Sequence, residues 1–290
     1  MLELSIALPA VINGVMAGAV YALVALGLTL IYGVLHIINF AHGNLLMIAL
    51  YAVFFLLTLG GVDPYAALPV MIVGAFAAGY LLYRYVIGTL SHGKDQNVLL
   101  VTLGLAIVLE NLALWLWTGD TRTIQVPYGY TMIDLDIVFL PVTKVIAFVG
   151  SLAICAALWA LIALTDLGKA IRAVAKERQG ARLVGINVEH IFAVSYGIGI
   201  ACLGAAACFL LPTYYVSPTT GDAFVIVAFT IVVLGGMGSF IGALVGGLII
   251  GVTESLGGLF LGESLGHIGI SLIFILILLF RPTGLFGAAR

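Results

Sequence analysis

Apolar residues run almost without a break through this chain, and short polar or proline-containing segments divide them into blocks. Six blocks have roughly the length of a membrane-spanning helix: residues 9–31, 43–59, 66–87, 97–117, 142–164 and 191–211. A bilayer core about 30 Å thick takes roughly 20 apolar residues in a helix. The pattern therefore predicts an all-α polytopic membrane protein.

The last quarter of the chain is equally apolar but is interrupted by glycine. The sequences GGMGS (235–239) and GGLFLGESLGH (257–267) cut the stretch 223–280 into two short segments and a final span, ISLIFILILLF. Such glycine clusters are typical of turns and helix ends. We therefore expect eight or nine transmembrane segments, some of them short or broken, in a single domain over residues 1–290.

Two broken segments resemble each other and predict an internal repeat. Residues 32–53 and 232–252 both combine an apolar helix, a glycine-containing break and a helix rich in small residues. Broken helices at corresponding positions of two repeats often mark the pathway of a transporter. On this interpretation the two breaks are equivalent.

Composition excludes a soluble globular protein. Hydrophobic residues make up 63% of the 290 residues and charged residues only 8%, whereas charged residues are about a quarter of a soluble domain. The 36 glycines indicate close packing, because small residues let membrane helices approach one another. Cys155, Cys202 and Cys208 lie in apolar blocks, so we expect no disulfide, and the sequence predicts no metal site and no cofactor.

The distribution of Lys and Arg predicts the orientation, because cytoplasmic loops are enriched in basic residues. Basic residues concentrate in 84–97, in 165–190 and at the C-terminus, whereas 118–141 is mainly acidic and 212–222 has no Lys or Arg. The first group is expected in the cytoplasm and the second outside. The N-terminus then lies outside, and an odd number of crossings, one or three, follows residue 222.

One loop is unusual in its charge. Five of the eleven basic residues lie within fourteen positions: Lys169, Arg172, Lys176, Arg178 and Arg182. Thr165 and Asp166 are suitable N-cap residues and Gly180 is a suitable stop, so we expect one short cytoplasmic helix between them.

This helix is expected to be amphipathic. At 100° per residue Lys169, Arg172 and Lys176 share one stripe, and Ile171, Val174 and Ala175 lie on the opposite side. The apolar side would rest on the helical bundle. The charged side would face either anionic lipid head groups or a protein partner, and charge alone does not choose between them.

Four stretches carry a resemblance to a known family. They are ALVALGLTLIYGVLHIINFAHGNLLMIALYA (22–52), VTLGLAIVLENLALWLWTGDTR (101–122), GKAIRAVAKERQGARLVGIN (168–187) and VVLGGMGSFIGALVGGLIIGVTES (232–255). The chain resembles the permease subunits of bacterial ABC importers for branched-chain amino acids, in particular the H-type (LivH-like) subunit. The motifs INFAHG and GGMGS are the most specific parts of the match.

The resemblance implies a permease domain in the bacterial plasma (inner) membrane, surrounded by lipid and not bound to nucleic acid. The partners that it implies are a second permease subunit, two ATP-binding subunits and a periplasmic or lipid-anchored substrate-binding protein. The segment 165–190 would be the coupling loop that docks into the ATPases. Its expected contact residues are Lys169, Arg172, Ala173, Ala175, Lys176, Glu177 and Gly185.

Polar residues at membrane depth are candidates for the translocation path, because a carboxylate within the bilayer usually faces a cavity or a partner. The candidates are Asn39, His42, Asn44, Glu110, Asn111, Gly236, Gly238, Ser239 and Glu254. Amides and a neutral imidazole can hydrogen-bond an amino acid in passing without holding it tightly. The alternative for each candidate is a structural role as a helix cap, a glycine bend or an interhelical hydrogen bond.

The chain has no catalytic motif. GTLSHGKD (88–95) has the Gly-x4-Gly-Lys spacing of a phosphate-binding loop, but Asp95 replaces the Ser or Thr that would hold magnesium. We therefore predict a transport subunit and not an enzyme, with ATP hydrolysis on separate subunits. Relatives often have an acidic residue where this chain has Asn44, which leaves urea, short amides or other amino acids as alternative cargoes. An ion-coupled secondary transporter that uses Glu110 or Glu254 as a proton carrier is the alternative from another class.

Overall fold

The computed structural model of the chain describes residues 2–90, 95–134, 139–281 and 283–286. Three charged residues of the predicted loops, Lys94, Asp136 and Arg290, lie outside the described residues. Twelve α-helices make up most of the described part of the chain.

The helices are α1 (Leu2–Leu35), α2 (His42–Thr58), α3 (Leu68–Leu82), α4 (Gly88–Leu90), α5 (Asp95–Trp117), α6 (Val142–Leu164), α7 (Asp166–Lys176), α8 (Arg178–Leu183), α9 (Val188–Leu210), α10 (Thr220–Gly235), α11 (Phe240–Leu261) and α12 (Glu263–Phe280). A π-helical turn, Tyr83–Ile87, joins α3 to α4. Strands β1 (Met132–Asp134) and β2 (Phe139–Pro141) pair antiparallel with Ile133 opposite Leu140.

The described helices confirm the predicted all-α membrane class. Six helices are long and apolar enough to cross a bilayer, and α2, α10 and part of α12 are shorter apolar helices. The second segment after residue 223 is longer than predicted, because α11 continues through Gly257 and Gly258 and ends only before Gly262. Gly262 has a φ of +94°, a backbone conformation that favours glycine.

The two central helices are α1 and α9, whose residues are almost entirely buried. They cross at Gly27 and Gly199, where a side chain on either residue would overlap the backbone carbonyl of the other. The two helices run antiparallel, since Met16 near the start of α1 and Leu210 at the end of α9 line the same cavity. Small residues therefore set the closest contact of the bundle, as is usual in membranes.

The packing partners of the central helices reveal an inverted repeat, in which α1, α2 and α3 correspond to α9, α10 and α11. Helix α1 packs antiparallel along α11, and α9 packs in the same way along α3. The two middle helices, α2 and α10, contact each other. The break at 36–41 therefore corresponds to the break at 211–219, and the predicted equivalence of 32–53 and 232–252 is wrong.

The GGMGS segment is a tight turn between α10 and α11. Gly236 and Gly238 have φ values of 95° and 88°, which only glycine adopts readily. The Ser239 hydroxyl oxygen accepts a hydrogen bond from the Gly242 backbone nitrogen at 3.1 Å and caps α11. The turn lies beside the end of α1, since Gly238 contacts Gly33.

We call the end of the bundle that carries α7 and α8 the basic end. The turn after α10 and the end of α1 lie there, and the Leu285 backbone nitrogen returns to it and donates a hydrogen bond to the Leu234 carbonyl at 2.8 Å. At the opposite end the backbones of Arg122 and Val216 pair with each other. After residue 222, α10 runs from inside the bundle to the basic end, α11 runs from there to the opposite end, and α12 returns to the basic end.

Candidate functional site

Helix α7 is fixed to the end of α6 by a cap and a close contact. The Thr165 hydroxyl oxygen accepts a hydrogen bond from the Gly168 backbone nitrogen at 3.1 Å, as expected for an N-cap. Gly168 lies directly against the carbonyl of Ile162, so any side chain at this position would overlap α6. Sequence analysis did not single out Gly168, although its position three residues after the cap was a usable signal.

The basic loop forms two short helices and not the single helix that the sequence predicts. Helix α7 ends at Lys176, because Glu177 has an extended backbone with φ −155° and ψ 104°. The Glu177 carboxylate accepts a hydrogen bond from the Gln179 backbone nitrogen at 3.1 Å and caps α8. The predicted stop at Gly180 is therefore wrong, since Gly180 lies inside α8.

The charged stripe of α7 faces outward and the apolar side faces the bundle. The exposed polar residues are Lys169, Arg172, Lys176 and Glu177. Ile171 and Val174 are buried against the bundle. Ala173 and Ala175 are half-buried, and Gly185 is exposed with a φ of +85°. Of the predicted coupling residues, Lys169, Arg172, Lys176, Glu177 and Gly185 are therefore accessible, whereas Ala175 packs against the core.

Arg178 differs from the other basic residues of the loop because it turns into the bundle. Its Nη2 donates a hydrogen bond to the carbonyl oxygen of Leu35, the last residue of α1, at 2.7 Å. Its guanidinium carbon lies 5.2 Å from the centre of the Phe192 ring on α9. This difference was predictable from the sequence, because Arg178 falls on the side of a helical wheel opposite to Lys169.

A cavity of about 260 Å³ joins α7 to the GGMGS turn. Arg172 and Ala175 of α7, Thr29 and Gly33 of α1, and Gly238 of the turn lie in its wall. Two predicted coupling residues therefore lie next to one residue that was predicted for the path.

The polar residues of INFAHG are buried within the protein. Asn39, His42 and Asn44 are 2%, 0% and 3% exposed. Asn39 Nδ2 donates to the Tyr196 hydroxyl on α9 at 2.9 Å, and His42 Nε2 donates to the Val24 carbonyl on α1 at 3.0 Å. These contacts agree with the structural alternative for Asn39 and His42, because they hold the segment 36–41 between the central helices.

The same contacts bring two helix N-termini together inside the bundle. His42 begins α2 beside Val24, part-way along α1. The next residue, Gly43, contacts Gly221 in the first turn of α10. Helix N-termini carry unpaired N–H groups and a partial positive charge. Half-helices that meet at mid-depth are the arrangement in which many transporters place their pathway.

Glu110 lies close to this meeting point. Its carboxylate on α5 is near enough to that of Asp222, in the first turn of α10, for their charges to interact. Asp222 is exposed and Glu110 is half-buried, so both carboxylates belong to the outer surface of this chain. Asn111 is exposed and donates to the carbonyl of Ile107 in its own helix at 2.8 Å. Asp222 was not among the residues predicted for the path.

Glu254 lies on α11. The Tyr21 hydroxyl of α1 is within hydrogen-bonding reach of its carboxylate, and Tyr214 interacts with it electrostatically. The next residue, Ser255, donates to the Ala10 carbonyl near the start of α1, at 2.7 Å. The residues predicted for the path therefore lie at three depths. Gly236, Gly238 and Ser239 are at the basic end, Asn39, His42 and Asn44 are inside the bundle, and Glu254 is towards the opposite end. Among the described residues, no group of three His, Cys, Asp or Glu side chains could hold a metal ion.

Known proteins with similar sequences cover nearly the whole chain. The chain is 34% identical to the high-affinity branched-chain amino acid transport system permease protein BraD of Pseudomonas aeruginosa, over 95% of this chain and 94% of the relative. It is 32% identical to the permease protein LivH of Escherichia coli (strain K12) over the same shares. It is 30% identical to the probable permease protein LivH of Methanocaldococcus jannaschii, over 91% of this chain and 88% of the relative.

A similarity in fold accompanies the similarity in sequence. The structure described as "PsaBC from Streptococcus pneumoniae in complex with Fab" contains a chain with a TM-score of 0.50 and 16% identity, over 93% of this chain and 91% of that one. The family model described as "Branched-chain amino acid transport system / permease component" matches residues 10–280. With its bundle of apolar helices and its close relatives, this multi-pass membrane protein belongs to the branched-chain amino acid transport permease family.

Proposed function

We propose that the chain is the H-type permease subunit of an ABC importer for branched-chain amino acids in the bacterial plasma (inner) membrane. Its relatives are permeases for branched-chain amino acids, which favours these amino acids over urea or short amides as the cargo. The observation that carries the proposal is the exposed basic helix α7, fixed to one end of an apolar bundle in a chain of this family.

Two ATP-binding subunits hydrolyse ATP and bind the exposed side of α7. Lys169, Arg172 and Lys176 supply charge that orients the contact, as complementary charges do at interfaces. The small, half-buried Ala173 on the charged side of α7 lets the ATPase surface approach closely. The charged side of α7 therefore serves a protein partner and not merely lipid head groups.

Movement of α7 reaches the bundle by three contacts. Gly168 transmits it to α6 through the Ile162 carbonyl. Arg178 transmits it to α1 through the Leu35 carbonyl. The buried Ile171 and Val174 transmit it to the core of the bundle against which they pack. Since packed helices shift as rigid elements, closure of the ATPases changes the access of the path.

The cargo passes along the face formed by α5 and α10, where a second permease subunit closes the path. On α5 the exposed Leu103 and Ile107 share one helical stripe with Glu110, and on α10 the exposed Ile226 follows Asp222 by one turn. This face combines apolar side chains with carboxylates, which suits an amino acid with an apolar side chain and an ammonium group. A periplasmic or lipid-anchored binding protein delivers the cargo.

Reconstitution tests this proposal. Proteoliposomes that contain the chain, the second permease subunit and the ATPases should accumulate labelled leucine only with ATP and the binding protein. A proton gradient without ATP should give no accumulation. The purified chain alone accumulating leucine under a pH gradient would identify a secondary transporter and refute the proposal.

A further inference from the structure

A second cavity, of about 190 Å³, lies at the end of the bundle opposite to α7. It is enclosed by α1, the start of α6, the end of α9 and the segment 211–219. Its apolar wall consists of Met16, Ala17, Val20, Ala147, Phe209 and Leu210. Its polar wall consists of Tyr21, Lys144, Thr213 and Tyr214. A mostly apolar wall with a few polar groups is characteristic of ligand sites, and this volume suits a ligand smaller than a drug molecule.

Lys144 gives the cavity a cation, and among the described residues no carboxylate forms an ion pair with it. It is the third residue of α6, is half-buried, and its Nζ donates to Asn13 Oδ1 on α1 at 3.0 Å. An ammonium group has three donors, and removing it from water is costly unless anions or several acceptors surround it. The neutral amide of Asn13 leaves room for an anionic partner.

Glu254 supplies the opposite charge from α11. Its carboxylate is within hydrogen-bonding reach of the Tyr21 hydroxyl, and it interacts electrostatically with Tyr214. Both tyrosines line the cavity. The cavity therefore has an ammonium group on one wall and, on another, phenol groups connected to a carboxylate.

We propose that this cavity binds a zwitterionic amino acid with an apolar side chain. The Lys144 ammonium binds the α-carboxylate by a charge-assisted hydrogen bond, and the Tyr21 hydroxyl, which is within hydrogen-bonding reach of the Glu254 carboxylate behind it, binds the α-ammonium. The apolar wall receives the side chain. The site lies at the end that the distribution of basic residues places outside the cell, and it is separate from the face formed by α5 and α10. The inference rests on the proposed function, since it gives the cargo of the importer a holding site on the permease itself.

Leucine binding to the full-length chain in lipid nanodiscs, without any delivery protein, tests the site. Wild-type chain should bind labelled leucine saturably in equilibrium dialysis. Lys144→Met and Glu254→Gln should each weaken binding by about tenfold or more, because each removes a hydrogen bond to a charged group. The matched controls Arg84→Met and Glu189→Gln remove the same charges from exposed positions at the basic end and should leave the dissociation constant unchanged.

Leucine analogues that lack one charged group test which side chain binds that group. Leucinamide lacks the carboxylate and should bind the wild type and Lys144→Met equally weakly. Its counterpart 4-methylpentanoate lacks the ammonium and should be insensitive to Glu254→Gln. If Lys144→Met lowers the melting temperature, the affinities of the wild type for leucine and for leucinamide are compared instead. Leucinamide that binds to the wild type as tightly as leucine would overturn the proposal.

The proposed site would also be refuted if the wild type did not bind leucine, or if Lys144→Met left the affinity for leucine unchanged. Leucine uptake by the reconstituted transporter separates this failure from that of the proposed function. Normal ATP-dependent uptake with no binding at the cavity refutes the site alone. No uptake by the wild-type assembly refutes the proposed function.

Discussion

The Arg178 guanidinium donates a hydrogen bond of 2.7 Å to the backbone carbonyl of Leu35. Leu35 ends α1, and the following residue, His36, has a φ of +59°, which non-glycine residues rarely adopt. From there the chain returns into the bundle to start α2. The contact therefore links the surface loop to the central helix where the broken segment begins.

Arg178→Gln should uncouple ATP hydrolysis from transport without preventing ATPase binding. The substitution leaves the Leu35 carbonyl without its charged donor, a loss of about 1–3 kcal/mol, or roughly a tenfold effect. We expect the leucine taken up per ATP hydrolysed to fall by about tenfold in proteoliposomes. Arg182→Gln is the control, because Arg182 is exposed and lies 3.5 Å from the exposed Glu189. An unchanged ratio in Arg178→Gln would rule out this role.

Gly168→Val should displace α7 although every charge of the loop remains. The new side chain would overlap the Ile162 carbonyl, and overpacking of this kind costs typically about 1–3 kcal/mol. The ATPases should then no longer co-purify with the permease, whereas the chain still inserts into the membrane. Gly180→Ala is the control, since its methyl group would meet only the flexible side chain of Glu177. Normal co-purification with Gly168→Val would show that the position of α7 is unimportant.

Gly43→Ala should impair uptake by separating the half-helices α2 and α10. A methyl group at this position would overlap the Gly221 carbonyl, and the Val225 side chain on the same helix leaves it no space. We expect a lower melting temperature in nanodiscs and a loss of leucine uptake. Gly74→Ala on α3, where nothing lies within 4 Å, should change neither quantity. Equal uptake by the two variants would contradict the importance of the meeting point.

Alkaline pH should weaken the loops at the end opposite to α7. Burial, and then the 2.7 Å hydrogen bond that Tyr128 donates to Asp63, raise the pKa of Tyr128 above its usual value of about 10. The folded chain then holds this proton more tightly than the unfolded chain. The stabilisation is therefore complete below about pH 10 and is lost as the pH rises through the folded-state pKa. The melting temperature should fall less between about pH 9 and pH 11 in Tyr128→Phe than in the wild type. An equal fall in the melting temperature of both proteins would contradict this prediction.

Local sequence signals predicted the features that depend on neighbouring residues. Apolar length gave the helices to within a few residues, since a helix satisfies its own backbone groups in lipid. The Thr165 cap and the division of α7 into a charged and a buried side were also predictable, because both follow from spacing within one helix.

Features that depend on distant residues were not predictable. The break at Glu177 accompanies the contact of Arg178 with Leu35, which is 143 positions away in the chain. The stretches 32–53 and 232–252 share a helix–break–helix pattern in sequence, but only the break of the first is held inside the bundle, by Tyr196 and Val24. The proximity of Glu110 to Asp222 likewise arises only when α5 and α10 come together.

The role of α7 as the docking site for the ATPases is tested most directly by co-purification. The triple variant Arg172→Ala, Lys176→Ala and Glu177→Ala removes three exposed side chains and leaves Ile171 and Val174 in place against the bundle. Membrane insertion should be normal, and the amount of ATP-binding subunits that co-purify with the tagged permease should fall to background. The same amount of ATP-binding subunits with the triple variant as with the wild type would contradict the account.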